Sequence, residues 1–216
     1  MNRIATASTV LAMAALAGPA IAVDYYAPPW DAKLPNQTSQ AWECLQSSGT
    51  TGIEPTHITN PYIPPWPTMT VTGCDGIQLI PGPNGDLVWT WHIGPGGGGV
   101  DIYVPNNPDP NLVKRIFWQV TSDKSPTPTG NPPTTNPPGT APPAPYPQVQ
   151  WPTDNWYTYN GLLEIRPNPP GETIHFDLVE STNIEEIVIK TICDVPEPAT
   201  LALLGIGGLA LLRRRN

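Results

Sequence analysis

Strong bases are scarce in the body of this sequence. Between Val23 and Pro198 only Lys33, Lys114, Arg115, Lys124, Arg166 and Lys190 face all 18 carboxylates, a net charge of −12. Such a body repels phosphate and has no basic stripe to neutralise it, which argues against nucleic acid as a partner. Cysteine is also sparse: Cys44, Cys74 and Cys193 form no C-x-x-C pair, and His57, His92 and His175 are scattered, so no zinc site and no metal ligand set is expected. Catalytic signatures are missing. There is no G-x-S-x-G elbow, and the glycine run Gly96 to Gly99 lacks the following Lys-Ser/Thr of a phosphate loop. No catalytic residue and no cofactor is therefore assigned, and the chain reads as a non-enzyme. Ala, Leu and Lys are few in the body while prolines number 31 and glycines 19, which disfavours long helices and favours an all-β body.

The two ends carry addresses. Arg3, the apolar run Ile4 to Ala17 and the A-x-A pattern Ala20-Ile21-Ala22 read as a signal peptide over residues 1–22, with the mature chain starting at Val23. Residues 195–216 hold Pro196-Glu197-Pro198, an apolar stretch from Ala199 to Leu212, and Arg213, Arg214 and Arg215 before Asn216. As a transmembrane helix, 14 residues reach only about 21 Å, so the stretch is a short, temporary anchor in the inner membrane. The arginines hold the C-terminus on the cytoplasmic side and leave the body outside.

That order of Pro-Glu-Pro, apolar segment and arginine cluster resembles the PEP-CTERM sorting signal. The resemblance implies an exosortase as partner, a membrane-bound cysteine transpeptidase-like enzyme of Gram-negative bacteria that make exopolysaccharide. It further implies release or transfer of the body to the cell envelope, the cell surface or the extracellular matrix.

Residues 23–194 are expected to form one β-sandwich of jelly-roll type. Prolines leave residues 23 to 70 loop-rich, with extended pieces at Ala41 to Leu45 and Thr68 to Thr72. Ile77 to Ile80 and Leu87 to Ile93 flank a Pro-Gly-Pro-Asn-Gly-Asp turn and read as a hairpin. Further strands are expected at Val100 to Val104, Leu112 to Thr121, Trp151 to Tyr159, Leu162 to Arg166, Thr173 to Val179 and Ile184 to Cys193. A helix over Ile184 to Thr191 competes, but the β-branched run Ile187-Val188-Ile189 disfavours it. Residues 125–147 hold ten prolines and no charge, a Pro/Thr-rich insertion read as a disordered, mucin-like loop open to O-glycosylation. Glu185 and Glu186, as neighbours in a strand, should face opposite sides. The exported compartment permits disulfides, and Cys44 with Cys74 is the favoured pair.

Eight tryptophans and seven tyrosines against two phenylalanines give an excess of rings with a polar edge. Trp89, Trp91 and Trp118 lie in regular strands and are expected in the core. Trp30, Trp66, Trp151 and Trp156 lie beside prolines or in turns and are candidates for exposure and sugar contact. Asn84, Asp86, Asp109 and Asn111 could offer oxygen ligands to calcium, without a D-x-D-x-D loop to support it. The leading expectation is an exported structural or adhesive protein. The alternative is a carbohydrate-binding module on exopolysaccharide, and an extracellular hydrolase comes third.

Overall fold

Strands β1 (Gln37–Glu43), β2 (His57–Thr59), β3 (Thr68–Thr72), β4 (Cys74–Pro81), β5 (Leu87–Ile93), β6 (Gly98–Pro105), β7 (Val113–Ser122), β8 (Thr134–Asn136), β9 (Gln148–Gln150), β10 (Tyr157–Ile165), β11 (Gly171–Leu178) and β12 (Asn183–Asp194) build the body. The computed structural model describes residues 28, 36–83, 85–124, 133–139, 148–150 and 156–194. The eight-stranded sheet runs β2-β1-β12-β7-β10-β9, with β5 joined to β12 and β4 to β5; the four-stranded sheet runs β3-β6-β11-β8. The fold is therefore all-β with two sheets.

Alternation explains the layering. In β7, Ile116, Trp118 and Val120 point inward, and in β6 Val100, Ile102 and Val104 meet them from the small sheet, all in one buried cluster. Phe176 of β11 packs edge-on against Trp118 with ring centroids 5.5 Å apart, which pins the small sheet to the large one. The outward rows of the large sheet are largely buried as well: Ala41, Phe117, Gln119, Val188 and Ile192 are all inaccessible.

The tryptophans do more than fill space. The Trp42 indole N–H donates to the Ile53 carbonyl at 3.0 Å and that of Trp91 to the Gly49 carbonyl at 3.1 Å. Both rings are fully buried. Each thus anchors the proline-poor loop after β1 while contributing core area, and truncating either to Ala would cost about 3–5 kcal/mol.

Three expectations are corrected. Trp151 to Tyr159 and Leu162 to Arg166 are not separate strands: β10 runs unbroken from Tyr157 to Ile165, with Asn160 opposite Gln119 and Gly161 opposite Trp118. A full ladder on β7 overrides the local preference of Asn-Gly for a turn. The Pro/Thr-rich insertion is not wholly a loop, because Thr134–Asn136 pair with Thr173–His175 as β8. An edge strand tolerates flanking prolines, since its outer N–H groups have no ladder to serve. Glu185 and Glu186 do not simply alternate, because the register of β12 shifts between Ile184 and Glu186 and Glu185 is the extra residue of a bulge. Residues 125–132 and 140–147 of the insertion lie outside the described residues.

Candidate functional site

Among the described residues, the open broad surface of the sandwich is the outward face of the small sheet. Core-facing Met69 and Val71 in β3, Ile102 and Val104 in β6, and Ile174 and Phe176 in β11 send the alternate residues outward. Register then sets them in rows. Thr70, Asp101, His175 and Thr134 form one row, Thr68, Tyr103, Thr173 and Asn136 the next, and Thr72, Gly99 and Asp177 a third. These rows contain hydroxyls, carboxylates, an amide and two rings, and no lysine or arginine.

Two glycines let both rings lie against the sheet. A Cβ on Gly171 would fall 2.6 Å from the Tyr103 Oη and 3.0 Å from its ring carbons, and a Cβ on Gly99 would fall 2.9 Å from His175 Cε1. Any larger residue at either position would lift the ring above it. His175 is held at both nitrogens, Nδ1 at 2.8 Å from Asp101 Oδ1 and Nε2 at 3.2 Å from Asp177 Oδ1. Both carboxylates accept when ionised, so the geometry favours the protonated ring, which can donate from both nitrogens. Burial pulls its pKa down, but the hydrogen bonds and charges of Asp101 and Asp177 outweigh it and the net shift is upward. Trp66, 49% exposed, stands two residues before Thr68 at the start of β3.

Of the other rings proposed for sugar contact, Trp156 is corrected. It is 2% exposed, and its indole N–H donates to the Pro81 carbonyl at 2.9 Å, tying β10 to the end of β4. Trp30 and Trp151 lie outside the described residues. Tyr103 and His175 were not singled out from the sequence, although the pattern of Gly171 and Gly99 flanking alternating strands was there to be read.

A second cluster joins acids across β1 and β12. Glu43 lies directly opposite Glu186 and both are buried. The bulge brings the Glu185 carboxyl within electrostatic reach of Glu43; burial first and then Glu43 push Glu185 up to about 7. Glu43 is itself raised by burial, against the opposing pull of His57, whose Nε2 lies 3.5 Å from Glu43 Oε1.

At one end of the sandwich a buried ion pair spans the two sheets, Lys114 Nζ lying 3.2 Å from Glu172 Oε1 with both side chains fully inaccessible. Burial raises the Glu172 pKa, and Lys114 restrains the shift. Nearby, the Cys193 thiol donates to Asn106 Oδ1 at 2.8 Å, and Asn168 Nδ2 donates to the Asn107 and Asp109 carbonyls at 2.6 and 3.0 Å. These contacts tie the loop after β6 to the end of β12 through Cys193 and to the turn between β10 and β11 through Asn168.

The expected Cys44–Cys74 disulfide is not formed, since all three cysteines are free thiols. Cys74 Sγ donates to the Gly76 carbonyl at 3.3 Å, so that thiol is directed at its own strand. Burial raises the pKa of both, and the proximity of Cys74 adds to the shift of Cys44. Of the calcium candidates, Asn84 lies outside the described residues, and Asp109 Oδ1 instead accepts from Asn111 N and Nδ2, each at 2.9 Å, in a turn. Among the described residues no group of three or more His, Cys, Asp or Glu is placed to hold a metal. Ala20, Ala22 and Val23, the segment 199–212 expected as a transmembrane helix, and Pro196, Glu197, Pro198, Arg213, Arg214 and Arg215 also lie outside the described residues. Among those described, no helix is long and apolar enough to cross a membrane.

A family model for the PEP-CTERM protein-sorting motif matches residues 194–216. The chain carries a PEP-CTERM sorting signal. That signal matches the substrate class of exosortases, and the protein is exported to the envelope or cell surface. No curated protein matches the chain. Among solved structures it is similar to the C-terminal CBM6 of LamC, a marine laminarinase from Zobellia galactanivorans, at 13% identity and a TM-score of 0.26 over 56% of this chain and 98% of that one. A superposition that loose carries no weight for the fold or ligand of this chain.

Proposed function

We propose that this PEP-CTERM protein is a non-enzymatic contact protein of the envelope or extracellular matrix, processed by an exosortase beside Pro196–Pro198. Its body holds exopolysaccharide on the outward face of the small sheet. The observation that carries the reading is the paired arrangement of Tyr103 laid over Gly171 and His175 laid over Gly99 on an accessible sheet face. A flat ring offers its face to the C–H side of a sugar, while Asp101, Asp177 and the flanking threonines accept and donate to hydroxyls. Two carboxylates without a lysine or arginine in the rows favour a neutral chain over a uronic or sulfated one.

This reading is favoured over a purely structural adhesive because the face is polar, flat and exposed, whereas the outward rows of the large sheet are largely buried. It is favoured over a hydrolase because the two accessible carboxylates of the face, Asp101 and Asp177, are both engaged by His175, and Glu43 and Glu186, which lie opposite each other by register, are buried. We read the order β1-β12-β7-β10 facing β3-β6-β11-β8 as a jelly roll with β6 wedged into the second sheet.

The test is affinity electrophoresis of the secreted, mature protein through gels containing the host's own exopolysaccharide or a neutral β-glucan, beside Tyr103→Ala and Trp66→Ala. Tyr103→Ala is expected to weaken binding about five- to tenfold, the loss of one ring contact. Unretarded migration of the wild type in every neutral polysaccharide would leave only the structural adhesive role.

A further inference from the structure

Strand β4 presents five consecutive residues, Gly76 to Ile80, with no partner strand on their outer edge among the described residues, and their chemistry points to a second copy of the chain. Strand β4 pairs with β5 alone. Edge strands β2, β8 and β9 have three residues each, too few for stable pairing. The outer edge of β3 is already occupied, since Met69 N donates to the Ile53 carbonyl and Val71 N to the Thr50 carbonyl. We propose that the mature protein forms a twofold dimer by antiparallel pairing of β4 with β4 of a second copy, centred on Gln78.

The direction of the backbone groups supports this. Gly82 N donates to the Asp86 carbonyl as the hairpin closes, so the even-numbered residues of β4 bond toward β5. The Pro81 carbonyl, in turn, accepts from Trp156 on the other side. The N–H and C=O groups of Ile77 and Leu79 therefore point away from β5, as unpaired donors and acceptors do on an edge.

The side chains agree. Cross-strand pairs Ile77–Trp91, Leu79–Trp89 and Pro81–Leu87 make one face of the hairpin wholly apolar. It runs from the core, where Trp91 is buried, out to Leu79 and Leu87, which are 43% and 55% exposed. Natural edges of this kind are normally blunted with charge or proline. Here Gly76-Ile77-Gln78-Leu79-Ile80 has neither, in a body of net charge −12, and only Asp75 and Pro81 bound it.

The segment is also its own complement. With the twofold axis at Gln78, Ile77 and Leu79 of one copy exchange backbone bonds with Leu79 and Ile77 of the other and Gly76 faces Ile80; the ladder ends there, because the Pro81 carbonyl is held by Trp156. The apolar faces become continuous, no charge meets a like charge, and the two Gln78 side chains meet on the opposite face. Such an isologous pairing closes on itself and gives a dimer rather than a fibre.

Sedimentation velocity of the secreted, mature protein from about 1 to about 100 µM tests it, with two variants at the exposed Gln78. The wild type is expected to move from monomer to dimer across that range. Gln78→Lys, which sets two lysines against each other at the axis, is expected to weaken dimerisation at least tenfold. Gln78→Cys sits in a non-hydrogen-bonded pair, where Cα atoms lie about 4.5 Å apart, and is expected to form a 78–78 disulfide on oxidation, read by peptide mass spectrometry. A wild type that stays monomeric, or a dimer that survives Gln78→Lys without 78–78 cross-linking in Gln78→Cys, overturns the proposal.

Discussion

Replacing Glu185 with glutamine should stabilise this protein at pH 8 and change little at pH 4. Glu185 occupies a bulge in β12 beside Glu43, which itself lies opposite Glu186 and has His57 Nε2 of β2 at 3.5 Å from its Oε1. Burial, and secondarily the charge of Glu43, raise its pKa from 4.5 to about 7. Because the folded pKa lies above the unfolded one, the native state holds a proton that the unfolded chain releases between those two values. Stability from this group is therefore full below about pH 4.5, falls as pH rises toward 7, and levels off above it. The separation corresponds to about 3 kcal/mol of destabilisation once Glu185 is fully charged. Glutamine keeps the shape and removes the charge, so Glu185→Gln should recover on the order of 3 kcal/mol at pH 8, roughly 6–12 °C in melting temperature for a body of this size. Glu43, also raised by burial, leaves a residual slope of the same sign in both proteins. Urea unfolding of wild type and variant at pH 4, 6 and 8 isolates the group by difference. A variant no more stable than the wild type at pH 8, or an advantage independent of pH, would refute the reasoning.

Three other outcomes follow from the described contacts. Lys114→Met leaves Glu172 buried without its counter-ion and should cost about 3–5 kcal/mol in urea melts, whereas Lys114→Met with Glu172→Leu should regain most of that loss. Gly171→Ala drives a methyl to the Tyr103 hydroxyl end, which can swing away cheaply, so polysaccharide retardation should fall as in Tyr103→Ala while the melting temperature stays near that of the wild type. The mature protein, unfolded in guanidinium, should titrate three thiols per chain. Before unfolding the same thiols should react slowly, because burial raises the pKa of all three, and a count below three would reveal a disulfide.

The parts of the fold that could be read from the sequence are those governed by local rules. The hairpin over β4 and β5, and strands β6, β7, β11 and β12, follow from two-residue alternation between turn-forming clusters, and all five regions were placed within a few residues of where they lie. The errors came where a neighbour's ladder outranked local preference. Asn160-Gly161 favours a turn in isolation but continues β10 because β7 offers an unbroken row of partners. Thr134–Asn136 is hidden by the proline pairs on either side of it, yet the free edge of β11 recruits it. A bulge at Glu185 leaves no composition signal, so strict alternation misplaces the acid whose pKa burial pushes up to about 7.

The candidate site was hidden for a different reason. Tryptophan was the expected marker of sugar contact, and it misled because a buried indole is useful for its N–H: Trp42, Trp91 and Trp156 each donate to a loop or strand-end carbonyl. A ring that anchors a loop and a ring that meets a ligand share one composition. What separates them is the residue beneath. Tyr103 and His175 lie over Gly171 and Gly99, which are neighbours only through the pairing of β6 with β11 some seventy residues apart in sequence. The same logic exposes Lys114, whose even number places it on the core side with Ile116, Trp118 and Val120 and so required a buried acid from the other sheet. Parity alone therefore announces the buried cation, whereas the flat ring face needs the register of two distant strands before it can be seen.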